Sequence, residues 1–207
     1  MKRGVTIVPW TENFINAAAG HLAARFPEGF ADVVVIFPHR RAGRYLLDAF
    51  LKNEALRKPL LLPEIVSVEE WLSGLGARLA PRPPRMLGAL DRAGLLFEIM
   101  RDLRETLGGR ARDFPEDLAR FFPWGMRLAE LCEELFRQNV PAMDLLYARD
   151  QVLPPAAAIL ENLSAINKAY RERLLADGAA TPGLCQALAA ENAEAAAGLL
   201  EGKSRRR

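Results

Sequence analysis

Five consecutive apolar residues, Val33-Val34-Val35-Ile36-Phe37, closed by Pro38, constrain this chain more than any other feature. β-Branched and aromatic side chains fit a pleated surface. A strand with one wet face would alternate apolar and polar residues, and this run does not. The pattern therefore predicts burial on both faces, as in a parallel sheet covered by helices. Pro38 has no N–H to give to a ladder and ends the strand.

The flanking segments extend this pattern. Val5-Thr6-Ile7-Val8, ended by Pro9, reads as an earlier short strand. Thr11 is positioned to cap a helix carrying Phe14, Ile15, Ala18 and Leu22 at helical spacing. Ala42 to Leu51 reads as a second helix through the pairs Leu46/Phe50 and Leu47/Leu51. Leu60 to Val66, interrupted by Pro63, predicts a third, weaker strand. Ser67-Val68-Glu69-Glu70 is then a capping box that opens a third helix through Trp71, Leu72 and Leu75. Strands separated by helices of this length define an α/β arrangement of βαβ units with right-handed crossovers.

The composition shifts at Pro81-Arg82-Pro83-Pro84-Arg85, which reads as a stiff linker. Every periodic segment beyond it is helical. One stripe holds Leu96, Met100, Leu103 and Leu107 and is broken at Gly108-Gly109; another holds Trp124, Leu128, Leu131 and Leu135. After Pro154-Pro155, a long helix carries Ile159, Leu163, Ile166, Tyr170 and Leu174 and ends near Gly178. Thr181-Pro182-Gly183 opens a last, Ala-rich helix, with Thr181 as cap and Pro182 in the first helical position. The predicted organisation is thus 1–80 an α/β lobe, 81–85 a linker, 86–200 a helical subdomain and 201–207 a frayed basic tail.

Half of the 207 residues are hydrophobic and 26% are charged, the balance of a folded protein. With 28 Lys and Arg against 26 Asp and Glu, bulk charge does not announce a nucleic-acid binder, so any such function must come from local placement. Cys132 and Cys185, with two histidines, cannot assemble the roughly four ligands of a structural zinc site in a familiar spacing. They read as buried thiols of a reducing cytoplasm. The apolar run Gly4 to Val8 is too short for a signal peptide, and nowhere are there ~18 consecutive apolar residues, so the expectation is a soluble, cytoplasmic protein without a membrane span.

The turn after the first expected strand is where a phosphate-binding loop would lie. Such a loop needs glycines so that N–H groups converge on phosphates, a Lys for their charge and a Ser or Thr for magnesium. Pro9-Trp10-Thr11-Glu12-Asn13-Phe14 supplies no glycine and no lysine, and sets a carboxylate in the way. ATP hydrolysis is not expected.

The second turn is richer in chemistry. Phe37-Pro38-His39-Arg40-Arg41-Ala42-Gly43-Arg44 sets three guanidinium groups and an imidazole at the carboxyl end of a strand, the edge where open α/β sheets bind ligands. Arginines there hold phosphate oxygens, and His39 or Phe37 can stack on a base. The plainer reading is a solvated helix start, with Arg44 paired to Asp48 four residues on. Basic residues at a helix N-terminus oppose its dipole, which counts against that reading. Ser67 ends the third strand and so also faces a ligand edge, although its capping role accounts for it. Arg78, Arg82 and Arg85 flank the linker, either touching a nucleic-acid backbone or simply solvated.

No catalytic constellation emerges. His21 reads as a helix surface residue, and no nucleophile elbow, zinc-protease helix or Cys–His pair is present. Glu201-Gly202-Lys203 has the (D/E)-x-K form of a nuclease motif, but without a strand around it or an upstream acidic partner it reads as a chance match. Trp10, Trp71 and Trp124 read as core anchors.

The run Val33 to Phe37, then Pro38-His39-Arg40-Arg41-Ala42-Gly43-Arg44-Tyr45-Leu46 and Leu60-Leu61-Leu62-Pro63-Glu64-Ile65, resembles the amino-terminal region of AddB-type proteins. These are helicase-like subunits of bacterial double-strand-break repair complexes that bear a PD-(D/E)XK nuclease. The resemblance is clearest over residues 5–75; Phe122-Pro123-Trp124-Gly125 through Glu133-Glu134-Leu135 is similar to the helical part of such proteins. It implies that residues 1–80 begin a RecA-like lobe of superfamily 1 helicase type, with a helical subdomain inserted from about residue 85. It also implies that the Pro38–Arg41 turn and Val66-Ser67 face single-stranded DNA, and that an AddA-type helicase–nuclease subunit is the partner. A decayed ATP site in many such proteins agrees with the empty loop.

The chain departs from the family in having no nuclease domain and no cluster-holding cysteines, and in ending before the strand that would carry the magnesium-binding carboxylate. The expectation is a non-catalytic, cofactor-free DNA-binding or scaffold module, read as a fragment, with Phe37, Pro38, His39, Arg40, Arg41, Arg44 and Ser67 facing nucleic acid. Two alternatives stand beside it: a protein-interaction scaffold without DNA binding, and a small α/β enzyme acting on an anionic substrate at Arg40 and Arg41. An incomplete lobe should also show an uncovered sheet edge or apolar face.

Overall fold

The structure, a computed structural model, describes residues 4–54, 56, 59–80, 82–107, 113–149 and 151–204. The expected break at Gly108-Gly109, Pro81 of the linker and the terminal Arg205 to Arg207 lie outside the described residues. The fold is mixed α/β and mostly helical, with a small parallel sheet. It divides into two compact units, residues 1–71 and 72–207. That division falls ahead of the proline-rich stretch, inside a helix.

In the first unit, α1 (Phe14–Arg25) precedes β1 (Val34–Phe37), α2 (Arg40–Lys52) and β2 (Glu64–Ser67), and α3 (Val68–Leu79) begins. β1 and β2 pair in parallel, Val34 opposite Glu64 through Phe37 opposite Ser67, with α2 as the crossover. Leu46, Phe50, Phe30 and Ala19 are fully or nearly fully buried, with Ile15 and Leu22 of α1 and Val35 and Ile65 of the sheet packed around them. The Phe30 and Phe50 rings stack at 4.6 Å. Gly43 lets α2 lie close over β2, because a Cβ there would stand 2.7 Å from Ile65 Cγ2.

Four expectations for this unit are corrected. Val5 to Val8 forms no strand, and Val5, Ile7 and Trp10 are exposed. A β-branched run becomes a strand only where a neighbour completes its ladder, and neither β1 nor β2 pairs with it. Trp10 is accordingly no core anchor. Asn13, not Thr11, caps α1, its side chain accepting the Asn16 N–H at 3.1 Å. Finally, β1 is covered on one face only. Val35 and Phe37 turn toward the helices, while Val34 and Ile36 remain 40% and 37% exposed. The uncovered apolar face expected of a few-stranded lobe is present, although the sequence of β1 predicts burial on both sides.

In the second unit, α4 (Ala89–Asp102), α5 (Leu118–Arg137), α6 (Ala142–Arg149), α7 (Pro154–Ala176), α8 (Pro182–Glu191) and α9 (Ala193–Ser204) follow the latter part of α3. Leu96, Met100, Phe121, Cys132, Tyr170, Leu174, Leu184 and Cys185 form one buried cluster. The stretch read as a stiff linker contributes β3 (Arg85–Met86), which pairs in parallel with β4 (Ala179–Ala180). Gly178, at φ +60°, makes the turn from α7 into β4. Thr181 caps α8 as its sequence indicates, accepting the Leu184 N–H at 3.2 Å. The Ala-rich region is two helices, α8 and α9, not one.

The buried stripe of α5 is also corrected. Phe121, Gly125, Leu128, Cys132 and Phe136 face the core, whereas Trp124 and Leu131 are exposed. Small Gly125 and polarizable Cys132 carry that face, so a reading that follows only large apolar residues is drawn to the wrong side. No helix among the described residues is long and apolar enough to cross a membrane.

Candidate nucleic-acid interface

β1 delivers Phe37 to Pro38 and His39, and α2 starts at Arg40. His39 occupies the N-cap position with extended backbone and no side-chain capping bond, so its imidazole is not spent on the helix end. No acidic residue lies in the first turn of α2. The helix start is thus lined by His39, Arg40, Arg41 and Arg44, all exposed.

These cations are not equivalent. Arg40 donates through Nη2 to Glu70 Oε1. The other Glu70 oxygen accepts both the backbone N–H and the hydroxyl of Ser67, each at 2.9 Å, and the Ser67 hydroxyl oxygen accepts the Glu70 N–H at 3.2 Å. The capping box read from the sequence therefore forms and also takes in Arg40, tying the start of α2 to the start of α3. The Ser67 N–H, followed by Arg40, holds the Glu70 carboxyl down at about 2.

Arg41 and Arg44 make no ion pair among the described residues. The Arg44–Asp48 pair of the plainer reading does not form, and Asp48 accepts from Lys52 at 2.7 Å. An acid placed four residues before a base follows the helix dipole, and the reverse order opposes it. The turn therefore keeps two uncommitted guanidinium groups beside an uncapped imidazole, on a helix N-terminus whose own partial charge favours anions.

The remaining site residues separate by burial. Pro38 is exposed. Phe37 is 6% exposed and belongs to the core, so in this arrangement base stacking would fall to His39 and not to Phe37. Ser67 is equally buried, with its hydroxyl engaged by Glu70. Arg78, Arg82 and Arg85 are exposed, on the later part of α3, the segment after it and β3. His21 is exposed on α1, as expected.

Among the described residues no group of His, Cys, Asp and Glu could hold a metal ion. Cys132 and Cys185 are buried free thiols. Desolvation, aided by the nearby Glu133 carboxylate, pushes Cys132 up to about 12 and raises Cys185 as well. Neither is poised as a nucleophile. Two features escape the sequence reading. The Arg40–Glu70 pair joins residues thirty apart and has no local signature. The exposed face of α5, in contrast, is written in the spacing of Arg120, Trp124, Arg127 and Leu131. No protein-family model and no curated protein matches this chain.

Proposed function

We propose that the first unit is a non-catalytic, helicase-like surface that holds single-stranded DNA through the turn between β1 and α2. The observation that carries this reading is the pair of uncommitted guanidinium groups, Arg41 and Arg44, beside His39 at the carboxyl end of a parallel strand. The resemblance of residues 5–75 to AddB-type repair proteins gives the context: a RecA-like lobe with a decayed nucleotide site, serving recombination and double-strand-break repair beside an AddA-type subunit. Arg40 has a structural role in this reading, since Glu70 occupies it.

Fluorescence anisotropy of a labelled oligothymidylate tests the proposal. Binding should weaken with salt, and the R41A/R44A double variant should lower the slope of log K against log salt by about 1.4, two phosphate contacts at roughly 0.7 each. Its thermal stability should stay close to the parent's, since both side chains are exposed and unpaired. Absence of binding at low salt, or a double variant that binds like the parent, would overturn the reading.

A second reading, a protein-docking scaffold, is favoured by one observation. Val34 and Ile36 expose an apolar sheet face, and the same unit exposes Val5 and Ile7. Loss of DNA binding with retained capture of an AddA-type subunit would select it.

A further inference from the structure

We infer that α5 carries a second contact for single-stranded nucleic acid, with Trp124 as a stacking platform between the guanidinium groups of Arg120 and Arg127. This inference rests on the nucleic-acid reading above but concerns a different unit and different residues. Arg120, Trp124, Arg127 and Leu131 follow one another at four-, three- and four-residue steps, so they form a single stripe on α5. All four are exposed. The two arginines are seven residues apart, about 10 Å along the helix axis, with the indole between them.

The indole rests against a buried ring. Its ring meets that of Phe121 at 5.2 Å and 68°, and Phe121 is fully buried against Phe97 and Phe114. Trp124 nonetheless stays 41% exposed. The buried Phe121 ring supports the indole, and part of the indole surface stays open to solvent.

The charge around the stripe also favours an anionic ligand. Arg120 and Arg127 make no ion pair among the described residues. The neighbouring acids are mostly engaged elsewhere. Glu116 accepts from Arg104 at 2.6 Å, Asp117 caps the helix through the Arg120 N–H at 3.0 Å, and Glu134 takes Gln138 at 3.0 Å and Arg137 at 3.4 Å. Glu130 is exposed to one side of the stripe. An exposed indole flanked by free guanidinium groups matches a strand of nucleotides, whose bases stack and whose phosphates pair, without requiring a particular sequence.

The test uses the full chain in a W10F/W71F background, so that Trp124 alone reports, with oligothymidylate as the probe. Binding should quench Trp124 emission. The W124A substitution should weaken binding roughly five- to a hundred-fold, the range for loss of one stacked base, whereas W124F should retain most of the affinity. R120A/R127A should lower the salt slope by about 1.4, with circular dichroism unchanged. Unchanged Trp124 emission while anisotropy reports saturation would overturn this inference and leave the Arg41/Arg44 reading standing. Affinity and salt slope unaffected by R120A/R127A would do the same. Absence of any binding by the parent chain would sink both.

Discussion

The Glu133 carboxylate of α5, only 2% exposed, accepts the backbone N–H of Gly183 in the first turn of α8 at 2.9 Å. Fifty residues separate the two in sequence. The contact places a negative charge at a helix N-terminus, where the free N–H groups and the dipole both favour it. Arg92 of α4 approaches the same oxygen at 3.7 Å and is largely buried. One carboxylate therefore links α4, α5 and α8 inside the core of the second unit.

Gly183 has no room for a side chain. A Cβ there would lie 2.7 Å from the Glu133 carbonyl oxygen, 2.9 Å from Oε2 and 3.2 Å from Phe136 Cβ. Gly183→Ala should destabilise the second unit by about 1–3 kcal/mol through overpacking. Glu133→Ala should cost about 1–3 kcal/mol, because it leaves the buried Gly183 N–H without its acceptor and Arg92 without its partner. Glu133→Gln keeps an acceptor for the Gly183 N–H and should cost less than Glu133→Ala. Urea unfolding followed by circular dichroism would rank the three; equal stability of Glu133→Ala and the parent would contradict the linking role.

Glu70 predicts an acid-side transition of the first unit. Its carboxyl ionises at about 2 in the folded chain, against an ordinary 4.5, chiefly because the Ser67 N–H bonds it and next because Arg40 does. A depressed acid contributes stability that is fully present above the unfolded value and is lost as pH falls through the folded one. The contribution should therefore fade between about 4.5 and about 2. In an NMR titration the Ser67 amide should shift with a midpoint near the lower value. R40A should move that midpoint upward without restoring the ordinary value, since the larger cause remains. A midpoint near 4.5 in the parent would show that the capping box does not form.

The cysteines provide a probe of the second unit. Burial raises both thiols, Cys132 to about 12, so at neutral pH neither is a thiolate. Ellman's reagent should label both promptly in denaturant and neither at a comparable rate in native buffer. Prompt labelling of one thiol under native conditions would mean that its helix opens readily.

What the sequence made legible follows from how far its signals reach. Ser67 with Glu70, and Thr181 with Leu184, are partners three residues apart, and both caps form as read. The parallel pairing of β1 with the strand after α2 was also legible, because an apolar run, a helix and a second run leave few ways to connect. The Val5 to Val8 strand was not, since a strand exists only through a neighbour. Of the two bases four residues from Asp48, Lys52 and not Arg44 pairs with it, the order that follows the helix dipole. The face of α5 was misassigned because its core side is built partly from Gly125, Ala129 and Cys132, which carry weak hydrophobic signals.

By itself, then, the sequence determined the local devices: the caps of α3 and α8, the end of β1 at Pro38, and a turn at Pro9 to Asn13 without the groups that grip a phosphate. Each depends on residues within one turn of each other, where backbone geometry leaves little choice. Tertiary structure alone decided which charges are spent and which surfaces are open. It tied Arg40 to Glu70, buried Glu133 against Gly183, and left Val34 and Ile36 exposed. Those outcomes turn on contacts across thirty or more residues, or on the lack of a covering layer, and no local pattern encodes either.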